Sequence, residues 1–306
     1  MPGSDRCYDV LVFGEYYFDL IITGMPEMPR LGADINGTGM GVDAGGAFNT
    51  VRAFHRLGTR VGWGANFGND LFSQFVLSLV QQEGVDTRLL RMHDHPLRFF
   101  SLSFSFIHER GFISYVDPAE DLDRAQLIRA NPPSCVLLTG VEYGPGLLEI
   151  VATAHQVGAI VAMDCQHSPV TLDTPGLIEA LRAIDVFLPN VGEAMKLTGA
   201  SDAEDAIRQL IQFTPLVVVK QGAEGAAAYT HAAQVCAPAI PVQVVDTTGA
   251  GDAFNAGFLS NYLRGQDLLT CLRYGNICGG LCTTAHGSSA TPTARQAEAL
   301  FWQLYG

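Results

Sequence analysis

Val244-Val245-Asp246-Thr247-Thr248-Gly249-Ala250-Gly251-Asp252-Ala253-Phe254 sets two β-branched residues, a run of small ones and an acid ahead of a helical pattern. It reads as an apolar strand that passes through a small-residue turn into a helix over Gly251–Arg264. Phosphates bind where backbone N–H groups point freely, and a helix N-terminus supplies such groups together with a favourable dipole. Gly249, Ala250 and Gly251 carry little side-chain bulk, so an anion can approach the main chain closely. Asp252 follows at once. An acid at a helix start commonly does no more than cap it. Beside an anion site, however, a carboxylate can also accept the proton of an attacking hydroxyl in phosphoryl transfer. The strand, the small residues and the acid taken together favour the catalytic reading.

Outward from this stretch the chain alternates between short apolar runs and helical periodicity. Strands are expected at Cys7–Gly14, Arg60–Ala65, Ser134–Thr139, Ala159–Asp164, Asp185–Pro189 and Leu216–Lys220. Their near-continuous apolar character fits a parallel sheet covered on both faces. Gly45-Gly46-Ala47-Phe48-Asn49 opens a helix through Leu57, and Asp70–Glu83 has helical periodicity ending at Gly84. Asp34–Met40 is Gly-rich and extended. Ser101-Leu102-Ser103-Phe104-Ser105-Phe106 alternates strictly, as a strand with one wet face does; a turn at His108–Gly111 would return it through Phe112–Val116. Gly222–Ala237 reads as a second hairpin, and helices close the chain at Leu268–Thr284 and Thr293–Leu304. The pattern predicts an α/β fold: one doubly wound domain over residues 1–306, its mostly parallel sheet flanked by helices on both faces, with a small β-sheet lid inserted at about 16–42 and 97–116.

Composition narrows the function. Of 306 residues 48% are hydrophobic and 16% charged, enough for a sizeable core and too little charge for a disordered chain. A formal net charge of −13 argues against nucleic-acid and anionic-membrane partners. It does not argue against a nucleotide, whose phosphates can be held by backbone N–H groups and Mg²⁺. The seven cysteines lack disulfide-framework spacing, and neither a leader-like N-terminus nor a membrane-length apolar run is evident, so the cytoplasm is the expected compartment. Cys271, Cys278 and Cys282 share a helix face and read as buried packing residues. Gly39-Met40-Gly41-Val42-Asp43-Ala44 formally fits a dinucleotide fingerprint, but the residues before it are polar where a buried strand is required.

Asp246-Thr247-Thr248-Gly249-Ala250-Gly251-Asp252-Ala253-Phe254 resembles the C-terminal signature of the ribokinase-like, or PfkB, carbohydrate kinases. Further segments resemble the family in order: Gly45-Gly46 with Asn49 and then Arg56-Leu57-Gly58, Gly62 through Asp70, Gly84-Val85-Asp86-Thr87, Asn190-Val191-Gly192-Glu193, and Lys220-Gln221-Gly222 with Gly225. The resemblance spans nearly the whole chain. It implies ATP-dependent phosphorylation of a sugar hydroxyl, with Asp252 as general base and the backbone of Gly249, Ala250 and Gly251 as anion hole.

The resemblance also assigns the remaining site residues. Asn190 and Glu193 would organise Mg²⁺ and the ATP phosphates through water, although the same pair makes a good capping box. Lys220, Gly222, Gly225 and Asn276 would border the nucleotide. Asp19, Gly45, Gly46 and Asn49 would hold the sugar, with Glu142 and Asp164 as further carboxylates at strand ends. Asp246, Thr248 and Gly287, in the Ala285–Ser289 loop, would hold a monovalent cation such as K⁺. Tyr16, Tyr17, Phe18 and Phe48 make the acceptor region unusually aromatic and keep a nucleoside acceptor open. A non-catalytic sugar-binding relative is the other alternative, although the acid and the small residues it would lose are intact. Arg98 could reach an acidic sugar or stand solvated. The apolar face of the alternating lid would pack on a second copy, giving a homodimer.

Overall fold

The structure, a computed structural model, describes residues 6–105, 110–166 and 168–306. The first third of the chain holds β1 (Val10–Phe13), β2 (Tyr16–Thr23), β3 (Gly39–Gly46), α1 (Ala47–Arg56), β4 (Val61–Gly64), β5 (Asn66–Phe67), α2 (Leu71–Glu83) and β6 (Arg91–Met92). Then come β7 (Phe99–Ser105), β8 (Arg110–Val116), α3 (Arg124–Ala130), β9 (Cys135–Leu138), α4 (Pro145–Gln156), β10 (Ile160–Asp164), α5 (Leu177–Ala183), β11 (Val186–Leu188), α6 (Val191–Thr198) and α7 (Ala203–Leu210). The last third holds β12 (Leu216–Lys220), β13 (Ala226–Tyr229), β14 (Gln234–Ala237), α8 (Ala250–Tyr262), α9 (Leu268–Cys282) and α10 (Ala294–Tyr305).

Eight strands form the main sheet in the order β14-β13-β12-β11-β10-β9-β1-β4, parallel except for the antiparallel β12-β13-β14 edge. Successive residues of its strands enter different cores. Val10 and Val12 join the layer that includes Phe48, Phe54 and Phe258, while Leu11 and Phe13 join the layer of Leu147, Ile150 and Leu181. This two-sided burial explains the apolar runs, and it makes the fold doubly wound with helices on both faces. Local chemistry fixes the helix ends. The Asp70 side chain accepts from the Phe72 and Ser73 N–H groups at the start of α2, and Gly84 closes that helix in a left-handed conformation.

β3, β2, β7 and β8 form a separate four-stranded sheet. The β7–β8 pair is antiparallel as the alternation implied, but β2 and β7 pair in parallel, so the sheet is mixed. Phe106, His108 and Glu109, in and before the expected turn, lie outside the described residues. Two local expectations need correction. Gly45 and Gly46 end β3 rather than opening the helix, because Gly46 takes φ 63° to swing the chain from strand into α1. The inserted strand therefore continues to Gly46 instead of stopping near residue 42. Val244-Val245 is not a strand: both residues are exposed, and the nearest backbone support is a Val245 N–H donated to Thr283 O at 2.8 Å. The Asp246 N–H meets the same carbonyl at 3.2 Å, so the segment is tied to the end of α9 rather than added to the β14 edge of the sheet. Of the Asp34–Met40 stretch, only Gly39 and Met40 are strand.

Candidate active site

Because β1, β9, β10, β11 and β12 are parallel, their C-terminal ends share one edge of the main sheet, where ligands bind in open α/β folds. Asp164 ends β10, Asn190 follows β11, and Lys220 ends β12, the last two joined by a bridge. Lys220 Nζ donates to Asp164 Oδ1 at 2.7 Å and approaches Asn255 Oδ1 at 3.4 Å. Burial alone would depress the ammonium pKa, but Asp164 and then Glu193 outweigh it and raise the pKa, so Lys220 is a fixed positive charge.

α8 starts against this cation. Gly249 is its N-cap and no side chain caps it, which leaves its leading N–H groups for a ligand. Ala250 N–H makes only a long contact of 3.3 Å to Thr247 O. A Cβ placed on Gly251 would stand 3.5 Å from Lys220 Nζ, so the turn and the ammonium border one space. Asp252 lies in the first turn, and Thr50 Oγ1 of α1 donates to its Oδ1. Burial is the largest influence on Asp252 and raises its pKa; the Thr50 hydrogen bond opposes, Asp164 adds to the rise and Lys220 lowers it, for a result of about 7. A carboxylate held near neutrality suits a general base.

Asn190 Oδ1 accepts from Glu193 N and Glu193 Oε2 from Asn190 N, each at 2.8 Å, so the capping box is formed. Both residues also line a cavity of about 370 Å³ with Gln166, Ser168 and Lys196. Among the described residues Gln166 is the one non-glycine at positive φ, 46°, a strain consistent with a functional wall. The carboxylate and amide oxygens at this cavity fit a water-bridged Mg²⁺.

On the opposite side the small sheet and α1 face the same space. Asp19 and Asp43 are directly paired across β2 and β3. Asp19 is pushed up to about 7, chiefly by burial and then by Asp43. Asn49 is buried and its Oδ1 has no hydrogen-bond partner, an acceptor waiting for a ligand donor. Asp43 reaches towards Gly287, where an added Cβ would stand 2.4 Å from Asp43 Oδ2.

Residues 9–295 match the pfkB family carbohydrate kinases. The chain belongs to that family. This kinase is 25% identical to fructokinase-2 of Zea mays over 95% of its own chain and 93% of the maize protein. It is also 25% identical to 5-dehydro-2-deoxygluconokinase of Bacillus subtilis strain 168 over 97% of both chains. A putative ribokinase II from E. coli, solved in complex with ATP and Mg²⁺, superposes with a TM-score of 0.78 at 23% identity, covering 97% of this chain and 99% of that one. The ribokinase-like fold and ATP-dependent sugar phosphorylation follow.

The expected site residues do not all reach the centre. Asp252, Gly249, Ala250, Gly251, Lys220 and Asp164 converge, with Asp164 committed to the lysine rather than open to an acceptor. Glu142 is bound by Arg124 at 2.8 Å. Asn276 donates its amide to Ala237 O and Pro238 O at 2.9 and 3.0 Å, so it pins the end of β14. Gly222 is exposed in the turn after β12, whereas Gly225 is buried under Ala237. The Asp246 carboxylate accepts from Thr248 N, Thr248 Oγ1 and Gly287 N at 2.8–2.9 Å, and the Thr248 carbonyl lies 3.6 Å from Cys282 Sγ. Arg98 is tied to Asp117 at 2.8 Å and lies over Tyr115. Tyr16 and Phe48 are core residues, and Phe18 packs on Phe72 and Phe75 of α2. Sequence reasoning missed Thr50 and Asp43. A hydroxyl one residue past Asn49 carries no pattern of its own, and Asp43 lay inside the rejected dinucleotide match.

Proposed function

We propose that this kinase transfers the γ-phosphoryl group of ATP to a hydroxyl of a sugar or sugar derivative held between the small sheet and the start of α8. The observation that carries the reading is the Asp252 carboxylate, oriented by Thr50 in the first turn of a helix whose uncapped N–H groups and neighbouring Lys220 face one space. Asp252 takes the acceptor hydroxyl proton. The N–H groups at Gly249–Gly251 and the Lys220 ammonium meet charge developing on the transferred group. Mg²⁺, when bound with the nucleotide, neutralises phosphate charge, and Asn190 and Glu193 would hold it through water. The carbonyls of Asp246 and Thr248 with the Gly287 loop would hold K⁺. Gly222 and Gly225 would border the nucleotide, and Asp19, Gly45, Gly46 and Asn49 the sugar.

The residues form one domain, and the small sheet acts as its lid, closing on the acceptor and excluding water that would otherwise hydrolyse ATP. Its outer face exposes Met40 at 77%, Val42 at 46% and Ile113 at 56%, an apolar surface that supports a homodimer. Sedimentation at micromolar concentration tests the dimer, and a monomer there overturns it. No helix among the described residues is long and apolar enough to cross a membrane, and the proposed compartment is the cytoplasm. The function is tested by ADP release from Mg-ATP across sugars, sugar acids and nucleosides. Acceptor-dependent release that is lost in Asp252→Asn is expected; equal release from both proteins overturns the assignment.

A further inference from the structure

Arg52 lies in the middle of α1 and is 4% exposed. Its charge is answered from three other segments. Nη1 donates to Ser288 Oγ at 2.6 Å in the loop before α10. Nη2 stands 3.6 Å from Asp43 Oδ1 on β3, and Nε lies 3.2 Å from Glu83 Oε1 at the end of α2 without the alignment of a hydrogen bond. The guanidinium also covers the Phe48 ring, 4.5 Å from its centroid. Apolar side chains of similar volume often stabilise a fold at least as well as a buried ion pair. Stability is therefore a weak reason for an arginine at this place, and what its shortest contact holds is the better guide.

Ser288 is 1% exposed and stands against the N-cap of α8: a Cβ on Gly249 would lie 2.9 Å from Ser288 Cβ. The preceding Gly287 N–H donates to Asp246 at 2.9 Å, so this loop braces both ends of the 246–249 turn. Arg56, on the same face of α1 as Arg52, holds the loop as well, donating to Ser289 O at 2.8 Å and Thr291 O at 3.0 Å. Thr50 of the same helix binds Asp252. One helix thus registers the base directly and the anion-binding turn through the loop.

We infer that Arg52 is a positioning residue for phosphoryl transfer: by gripping Ser288 it holds the Gly249–Gly251 turn in register with Asp252. The inference rests on the kinase reading of the site and adds to it the part that keeps base and turn aligned. A displacement of about 1 Å in such a constellation costs up to about a hundredfold in rate. Substrate binding, made by other groups, changes little.

ADP release from Mg-ATP is followed with ribose, fructose, glucose, gluconate and adenosine, and the fastest wild-type acceptor is kept. Arg52→Met, which retains most of the bulk, is expected to lower kcat about tenfold to a hundredfold with both KM values within about threefold of wild type. Arg52→Lys keeps the charge without the planar fork and should recover part of that loss. Ser288→Ala removes the grip alone and should lower kcat roughly fivefold. Added to Arg52→Met it should cost nothing further, because both changes cut one contact. The acidic limb of kcat, set by Asp252 at about 7, should move upward in both single variants, since the Thr50 hydrogen bond that opposes the rise weakens while Asp164 and Lys220 stay in place. Assays run well below each variant's Tm, so lost stability alone moves neither the limb nor the split between kcat and KM. If Arg52→Met does not fold, Ser288→Ala decides. Wild-type kcat and an unmoved limb in Ser288→Ala overturn the inference, as do raised KM values at unchanged kcat or additive losses in the double variant. A wild-type protein silent with every acceptor overturns the kinase reading and this inference with it.

Discussion

The start of α8 and the small sheet sit on opposite sides of one space and are built on opposite principles. Around the start of α8 the charged side chains are answered even though the leading N–H groups are not: Thr50 binds Asp252, Lys220 binds Asp164, and the Asp246 carboxylate accepts three donors. The helix itself is buried from Ala253 through Asn261. The small sheet keeps an unanswered Asp19, a like-charged neighbour and an open apolar outer face. The contrast teaches a division of labour. Groups that meet transition-state charge gain from being fixed beforehand, whereas groups that admit and release an acceptor must leave part of their bonding to it.

If the division is real, damage on the α8 side is catastrophic and damage on the sheet is mild. Asp252→Asn should lower kcat by roughly 10²–10⁴-fold, the range for loss of a general base, with the KM for ATP nearly unchanged. Wild-type turnover should fall as pH drops through about 7, where Asp252 takes up its proton, and a steady-state pH profile reads this limb. The stability sign is opposite. The folded pKa lies above that of the unfolded chain, so the folded state binds more protons between the two values and loses stability as pH rises through that window. Asp252→Asn should therefore raise Tm above neutral pH while destroying activity. A variant that is both inactive and less stable there would show that Asp252 serves structure first.

Lys220→Met comes next. It strands Asp164 in a buried site and should cost about 3–5 kcal/mol by denaturant unfolding. A smaller loss would mean that Asp164 escapes by taking a proton. Gly225→Ala probes backbone alone: φ is 102°, and the added Cβ would lie 2.2 Å from Ala237 O. A cost of about 1–3 kcal/mol is expected, with the nucleotide KM raised because the turn proposed to border the nucleotide shifts. Ile113→Ser on the outer face of the sheet should change monomer stability by only about 0.5 kcal/mol while weakening the proposed dimer by sedimentation. Loss of folding there would erase the distinction between the two regions.

Much of the arrangement was legible in the chain. The apolar runs over Val10–Phe13, Cys135–Leu138 and Leu216–Lys220 are strands because two-sided burial leaves a local trace in composition. Asp70 and Gly84 bound α2 through chemistry confined to a few residues. The Val244-Val245 strand failed because β propensity says nothing about whether a partner strand is at hand. Asn276, expected to border the nucleotide, donates its amide to Ala237 and Pro238, and Arg98, left open between an acidic sugar and solvent, pairs with Asp117, since a side chain's partner is a property of distant residues.

The sequence by itself determined the two-layered α/β alternation, the small-residue turn before Asp252 and the capping box at Asn190, because periodicity, steric bulk and capping act over one or two turns of chain. Only the tertiary structure decided that Thr50, 202 residues away, would hold Asp252, that Lys220 would neutralise Asp164, and that Asp19 would face Asp43 and Ser101. Those pairings are set by strand order and register, which long-range packing fixes and no local pattern records.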